Sequence, residues 1–182
     1  MFFVPLTIML HELGHYLAAL SLGSPNPTLH YSWTSPGDLA SKDSSIGGVV
    51  GLAGPAVTVI LSLFACAWIV VRGPARWAFA LAVSAASRFV VAVPYTVINI
   101  VARLMGASLS PPAFDEHKAG IALGWSGDAL LASTAIVLAG VLICVGVKLP
   151  HGERSIAWPG LVIGTALGWI FWMAFLGPTL LP

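Results

Sequence analysis

Three ionisable residues near the start of the chain have the spacing of a metal site: His11-Glu12-Leu13-Gly14-His15. On a helix, residues four apart share a face, so both imidazoles can reach one metal ion. Glu12 lies one turn before His15, where its carboxylate can contact a water on the metal instead of the metal itself. Zinc lowers the pKa of such a water toward about 7, and a glutamate can then take its proton. The motif therefore predicts a Zn2+ site with His11 and His15 as ligands and Glu12 as catalytic base.

The motif lies inside an apolar run, residues 2–22, that is long enough to cross a bilayer. A charge at the centre of a spanning helix costs about 2.5–3.5 kcal/mol on insertion scales, so a metal or polar partners must offset it. The alternative to a metal site is that neighbouring helices satisfy the three polar side chains. At about 1.5 Å per residue, His11 lies about 15 Å along the helix, near the middle of a hydrocarbon core about 30 Å thick. Hydrolysis at that depth requires a water-filled cavity.

The composition indicates that the bilayer is the solvent. Hydrophobic residues make up 58% of the 182 residues and charged residues 8%, whereas soluble domains carry about 25% charged residues. The formal net charge of +1 indicates no nucleic-acid partner, because no basic patch is present to neutralise phosphates. Cys66 and Cys144 both lie in apolar runs, and we predict packing residues there rather than a disulfide or a zinc knuckle.

We predict an all-α polytopic membrane protein with about five transmembrane helices in a single membrane-embedded domain, residues 1–182. The apolar stretches that are long enough to span are residues 2–22, 46–71, 76–105, 128–147 and 156–181. The first stretch lacks a positively charged beginning and is interrupted by polar residues, so we expect a retained helix rather than a signal peptide. We place the core of the domain at residues 1–124 and treat the helices within 128–181 as additional.

The second span carries a stripe of small residues at three- and four-residue steps. Its members are Gly47, Gly51, Gly54, Thr58, Ser62 and Ala65. Small side chains let helices approach each other closely in lipid, so the stripe predicts a packing face.

The third span is polar along one face, where Ser84, Arg88, Tyr95 and Asn99 fall within a narrow arc at 100° per residue. Pro94 is expected to bend the helix there. Arg88 lies too deep in apolar sequence to reach water easily, and it needs an acidic or carbonyl partner. Two interpretations stay open. Either Arg88 or Asn99 lines an active-site cavity and holds a carboxylate or the substrate backbone, or Arg88 forms a structural ion pair.

A zinc site needs a third protein ligand, and three acidic residues near the start of the fourth span are candidates. They are Asp115, Glu116 and Asp128. Asp128, in Ser-Gly-Asp-Ala, also has the sequence context of a helix N-cap. Asp115 follows a segment, residues 111–114, that is apolar enough to dip into the membrane if protein surrounds it.

The connection between the first two spans contains a segment, residues 28–34, that alternates and is rich in β-formers, with prolines and a glycine on either side. We expect a short strand or hairpin there, whose edge could hold an extended peptide by main-chain hydrogen bonds. The alternative is a surface loop whose Tyr31 and Trp33 lie at the membrane interface.

Together these features resemble the site-2 protease family of intramembrane zinc metalloproteases. Residues 11–15 match the HExxH on the family's first core helix, and residues 51–58, Gly-Leu-Ala-Gly-Pro-Ala-Val-Thr, resemble the glycine-proline motif that opens the second. Residues 95–115 resemble the helix, proline turn and aspartate that lead into the third core helix. The resemblance covers residues 1–124, implies Asp115 as the third zinc ligand, and places a strand-forming segment between the first two core helices.

The sequence departs from the family pattern at two positions. Thr58 stands where the family usually has an asparagine, and Glu116 follows the aspartate where the family usually has a glycine. Glu116 and Asp128 therefore stay as rival third ligands. Arg88, Asn99 and Thr58 are candidate cavity or substrate contacts.

The resemblance implies a zinc metalloendopeptidase that hydrolyses peptide bonds in or near transmembrane segments of membrane-protein substrates. Two other functions fit parts of the sequence. A membrane iron hydroxylase or desaturase also uses histidine pairs, but a diiron site wants more histidines and carboxylates, and this chain has five histidines. A zinc-binding transporter or scaffold without proteolytic activity would explain the metal. However, a transporter usually shows paired repeats, and an inactive relative is expected to lose Glu12.

Overall fold

Helices make up most of the computed structural model, which describes residues 2–38, 43–106 and 114–181. In chain order the elements are α1 (Phe3–Ser21), β1 (Thr28–Leu29), β2 (Thr34–Ser35), α2 (Ser44–Arg72), α3 (Arg76–Ala86), α4 (Phe89–Leu104), α5 (Asp115–Ala122), α6 (Gly127–Lys148), a 3-10 turn (His151–Glu153), α7 (Arg154–Phe171), a π-helical turn (Trp172–Leu176) and α8 (Gly177–Leu180). The prediction of an all-α fold with a short strand or hairpin after the first helix is confirmed.

Four helical segments in the described part of the chain are long and apolar enough to cross a bilayer. They are Phe3–Ser21, Ser44–Arg72, Gly127–Lys148 and His151–Leu180. The last of these runs continuously from the 3-10 turn through α7 and the π-helical turn to the end of α8. The chain therefore has the helices of a membrane protein, as its composition indicates.

The structure differs from the prediction in the third span, residues 76–105. The chain breaks at Ser87 and Arg88 into α3, of 11 residues, and α4, of 16 residues, and each is shorter than the roughly 20 residues that cross a bilayer. The hydroxyl of Ser87 donates to the carbonyl oxygen of Ser84 at 2.7 Å and so helps to end α3. At this break Arg88 reaches two carboxylates of α5, which offset the cost of a half-buried guanidinium.

The apolar core lies where α2, α3 and α6 meet. Its members include Ala65, Ile69, Ala78, Phe79, Ala82, Ala86, Leu138, Val141 and Val145. Most of α3 is buried, because its alanines let α1, α2, α6 and α7 pack around it. Thus α6, which we predicted as an additional helix, contributes to this core and helps to fix the end of α3, next to Arg88.

The small residues of α2 lie against two other helices. A Cβ added to Gly51 would lie 3.2 Å from the side chain of Ala119, so α5 packs directly on this face. On α1, a Cβ added to Gly14 would lie only 2.9 Å from the carbonyl oxygen of Ala53. By these close approaches α2 holds α1 and α5 near each other, and these two helices carry the histidine pair and Asp115.

The predicted strand segment, residues 28–34, is a hairpin, in which β1 pairs antiparallel with β2. Tyr31 lies in its turn, where its backbone N–H donates to the carbonyl oxygen of Leu181 at 3.2 Å. The Tyr31 carbonyl accepts a hydrogen bond from the indole N–H of Trp172 at 2.8 Å. A hairpin of two-residue strands is marginal by itself, so these contacts with the end of the chain help to hold it in place.

Candidate metal centre

Three side chains from α1 and α5 form a triangle of possible metal-ligand atoms. The Nε2 atoms of His11 and His15 are 3.2 Å apart, and they lie 3.3 and 3.6 Å from Oδ2 of Asp115. For zinc bonds of about 2.0–2.1 Å, the edges of a tetrahedron are about 3.3–3.4 Å long. The triangle therefore has the size of three vertices of a zinc tetrahedron. It is the one group of this kind among the described residues.

Hydrogen bonds on the far side of each imidazole orient both rings. Nδ1 of His15 lies 2.7 Å from the carbonyl oxygen of Val50, and a carbonyl can only accept, so Nδ1 carries the proton. Nδ1 of His11 lies 2.8 Å from the Thr58 hydroxyl, which is itself 3.3 Å from the Gly54 carbonyl and can donate to it. With the protons on Nδ1, both Nε2 lone pairs face the triangle, which is the arrangement that metal-binding histidines use.

Gly54 gives the ring of His15 its space. A Cβ added to Gly54 would overlap the His15 ring, with Nε2 as the nearest atom and two ring carbons at 2.7 Å. Any other residue at this position would therefore push the ligand atom out of the triangle. The glycine in the predicted glycine-proline motif thus belongs to the site and does more than let two helices pack.

Glu12 lies beside the triangle and contacts the hairpin. Its side chain is buried, and Oε2 lies 3.0 Å from the hydroxyl of Thr34 in β2. The same hydroxyl is also 3.0 Å from the Glu12 backbone carbonyl oxygen, so its single proton serves one acceptor at a time. The contact places β2 next to the predicted catalytic base.

Arg88 joins the site from the break between α3 and α4. Its Nη1 lies 2.7 Å from Nε2 and 3.0 Å from Nδ1 of His11, so the guanidinium contacts the imidazole ring near both nitrogens. Its Nη2 lies 3.3 Å from Oδ2 of Asp115 and 3.3 Å from Oε2 of Glu116. Arg88 is thus paired with carboxylates and also lies beside the candidate ligands, so the two interpretations of Arg88 are not exclusive.

The two rival ligands lie outside the triangle. Glu116 pairs with Arg88, and only 4% of its side chain is exposed. Asp128 lies with Oδ1 3.1 Å from Nδ1 of His117, close enough for an ion pair but without hydrogen-bond alignment. The N-cap of α6 is Ser126, whose hydroxyl accepts from the backbone N–H of Ala129 at 3.3 Å. The alternative interpretation of Asp128 as the cap is therefore wrong.

Other predicted residues of the third span are only partly described. The Tyr95 ring packs against Phe114, just before α5, with centroids 5.6 Å apart. Asn99 lies in α4, but its side chain is outside the described part of the structure. The same is true of the whole of Pro111 and Pro112, which belong to the predicted proline turn.

Carboxylates outnumber guanidinium groups around the site. When the carboxylates of Glu12, Asp115 and Glu116 are all ionised and both imidazoles are neutral, the cluster carries two net negative charges, because Arg88 supplies the one guanidinium that pairs with it among the described residues. Uncompensated charge among apolar helices is costly. A divalent cation has the charge that would balance this cluster, so the donor set, the spacing and the charge all fit such an ion.

Neither the contact of Thr34 with Glu12 nor that of Thr58 with His11 could be predicted from the sequence. The two ends of the Thr34 contact are 22 residues apart and the two ends of the Thr58 contact 47 residues apart, so no local pattern connects them. Only the departure of Thr58 from the family motif drew attention to that position.

Comparison of the chain with protein-family profiles, curated proteins and solved structures found no match.

Proposed function

We propose that this chain is an intramembrane zinc metalloprotease of the site-2 protease type, embedded in the bilayer by several helices. Its substrates would be peptide bonds in or near transmembrane segments of other membrane proteins. The observation that carries the proposal is the triangle of two buried histidines, His11 and His15, with the partly exposed Asp115, in which both imidazoles are oriented from behind and a glutamate lies alongside. The donor set of two imidazoles and one carboxylate is the one that zinc peptidases use.

Each residue of the site has a role in this proposal. His11, His15 and Asp115 would hold the ion, which when bound makes a water acidic and polarises a carbonyl. Glu12 takes a proton from the attacking water, whose oxygen bonds to the carbonyl carbon, and passes the proton to the leaving amine as the C–N bond breaks. The Thr34 hydroxyl can donate to Glu12 and hold its carboxylate in place.

The hairpin supplies a place for the substrate. A helical peptide shields its own carbonyl groups in its backbone hydrogen bonds, so a substrate must be extended before hydrolysis. An exposed strand edge can hold an extended chain by main-chain hydrogen bonds without reading its side chains. Because Thr34 in β2 touches Glu12, a peptide held along this hairpin would lie next to the base.

Two of the candidate substrate contacts have partners within the site. Thr58 lies against His11, so we assign it the orientation of that imidazole. Arg88 lies against His11, Asp115 and Glu116. Asn99 is kept as a candidate contact with the substrate backbone on the strength of the sequence alone.

Metal content of the purified protein tests the proposal most directly. We expect about one zinc per chain in the wild type, measured by inductively coupled plasma mass spectrometry, and none in a His11→Ala, His15→Ala double variant. His151→Ala is the matched control, because His151 is exposed in the 3-10 turn and should keep the zinc. Equal zinc in the double variant would show that the metal is bound elsewhere. In parallel, only the zinc-containing proteins should cleave a model transmembrane substrate in proteoliposomes.

A second candidate follows from the donor set itself. Two histidines and one carboxylate also hold iron in non-haem oxygenases, so iron in place of zinc would favour a membrane oxygenase. One ligand group among the described residues suits a single ion better than the pair of a diiron enzyme. Zinc without cleavage of any transmembrane substrate would instead favour a zinc-binding scaffold or transporter.

A further inference from the structure

Arg88 has two sets of partners within reach. The first set consists of the His11 ring, with Nη1 2.7 Å from Nε2, and Asp115, with Nη2 3.3 Å from Oδ2. The second is Glu116, whose Oε2 lies 3.3 Å from the same Nη2. The first set consists of candidate metal ligands and the second does not, so one cation is shared between the ligand group and a carboxylate outside it.

A guanidinium in this position acts against a metal ion. It is positively charged at every relevant pH and offers only donors. Beside His11 and Asp115, the guanidinium neutralises part of the negative charge of Asp115 that would attract a dication, and it also repels that dication directly. Only when the guanidinium pairs with Glu116 is Asp115 free to give its full charge to a metal.

Glu116 is suited to hold the guanidinium. Its side chain is 4% exposed, whereas that of Asp115 is 34% exposed. A carboxylate that is shielded from water gains more from a paired cation than one that water already solvates. The departure of this chain from the family pattern, a glutamate directly after the aspartate, therefore supplies a second anchor for Arg88.

We propose that Arg88 is a displaceable counter-ion of the metal centre: it opposes metal binding from its position beside His11 and Asp115, and Glu116 draws it away when a divalent ion is held. This inference rests on the proposed metal centre. It adds that the metal affinity is set by residues that are not ligands.

The test measures the dissociation constant of zinc by competition with a chelator of known affinity, on purified detergent-solubilised protein. Arg88→Gln removes the competing charge, and we expect zinc to bind at least about tenfold more tightly. The size follows from proton binding, since a charge within about 4–6 Å changes the pKa of a carboxylate by about 1–3, which is at least a tenfold change in proton affinity. Glu116→Gln leaves the guanidinium with only the candidate ligands His11 and Asp115 as partners. We therefore expect zinc to bind at least about tenfold more weakly. Arg72→Gln is the control: it makes the same charge change at the exposed end of α2 and should leave the affinity unchanged.

The signs separate this proposal from a simpler one. If Arg88 only held Asp115 in position, both variants would weaken zinc binding. Unchanged or weaker binding in Arg88→Gln therefore overturns the inference while the metal centre stands, whereas a wild type without zinc overturns both. If Arg88→Gln does not fold, the double variant Arg88→Gln, Glu116→Gln decides, because Glu116→Gln has already removed the most buried partner of the arginine. The double variant should bind zinc more tightly than the Glu116→Gln variant does, and failure to do so overturns the inference.

Discussion

The candidate metal centre and the C-terminal helical segment differ in how far their residues are buried and in what their side chains contact. In the 18-residue apolar window of α1, 33% of residues are buried, against 17% in the 18-residue apolar window of the segment His151–Leu180. At the candidate metal centre, His11, His15 and Glu12 each have a partner at 2.7–3.0 Å from an adjacent element. The C-terminal segment is mostly exposed, and the surface it exposes is mostly apolar.

Two indole hydrogen bonds attach the C-terminal segment near the site. Trp169 donates to the hydroxyl of Ser87, at the break after α3, over 3.1 Å, and Trp172 donates to the carbonyl of Tyr31, in the hairpin turn. The contacts of the candidate site and those that attach the C-terminal segment are therefore two separate sets of polar contacts. Changes at the first set should abolish function in a folded protein, and changes at the second should loosen the structure while the metal stays bound.

The strongest expected effect is that of Glu12→Gln on proteolysis. The amide cannot accept the proton of the attacking water, so cleavage of a transmembrane substrate should fall by about 10²–10⁴-fold. Zinc content and thermal unfolding should stay as in the wild type. Glu153→Gln, at an exposed position in the 3-10 turn, is the control. Cleavage by Glu12→Gln near the wild-type rate would remove this residue from the mechanism.

The second-largest expected effect is that of Asp115→Asn on zinc affinity, because the change removes a proposed zinc ligand. A neutral amide is a poor ligand for a dication, so zinc affinity should fall by more than the about 10–100-fold that loss of an orienting partner costs. Asp128→Asn is the comparison, because Asp128 pairs with His117 outside the triangle. Zinc lost from the Asp128 variant alone would transfer the ligand role to that residue.

Gly54→Ala tests whether the packing face of α2 is part of the metal centre. The added Cβ would displace the His15 ring, and we expect zinc affinity to fall by about 10–100-fold, as for other disturbed ligand orientations. Gly140→Ala in α6 is the matched control, since its Cβ would meet nothing within 4 Å. Equal zinc affinity in the two variants would reduce Gly54 to a packing residue.

What sequence could predict here depends on distance along the chain. The relation of His11 to His15 is fixed by one helical turn, so the pair could be identified directly. Asp115 is 104 residues away from His11, and only the family resemblance selected it among three acidic residues. The break at Ser87 was missed because residues 76–105 form one long, mostly apolar run that has no glycine or proline at the break. The sequence predicted that Arg88 needs an acidic or carbonyl partner. It did not predict that the helix ends at this point, where Arg88 reaches the carboxylates of α5.

The smallest expected effect belongs to the attachment of the C-terminal segment. Trp172→Phe keeps an aromatic ring of similar size but removes the N–H that donates to the carbonyl of Tyr31 at 2.8 Å. Loss of one such hydrogen bond costs about 0.5–1.5 kcal/mol, so hydrogen exchange in the hairpin, residues 28–35, should accelerate by up to about tenfold. Zinc content should not change, because Thr34 and Glu12 keep their own contact. Trp125→Phe, at an exposed position, should change neither quantity. If Trp172→Phe releases zinc, the hairpin and the metal centre form one cooperative unit, and the separation of chemistry from attachment is wrong.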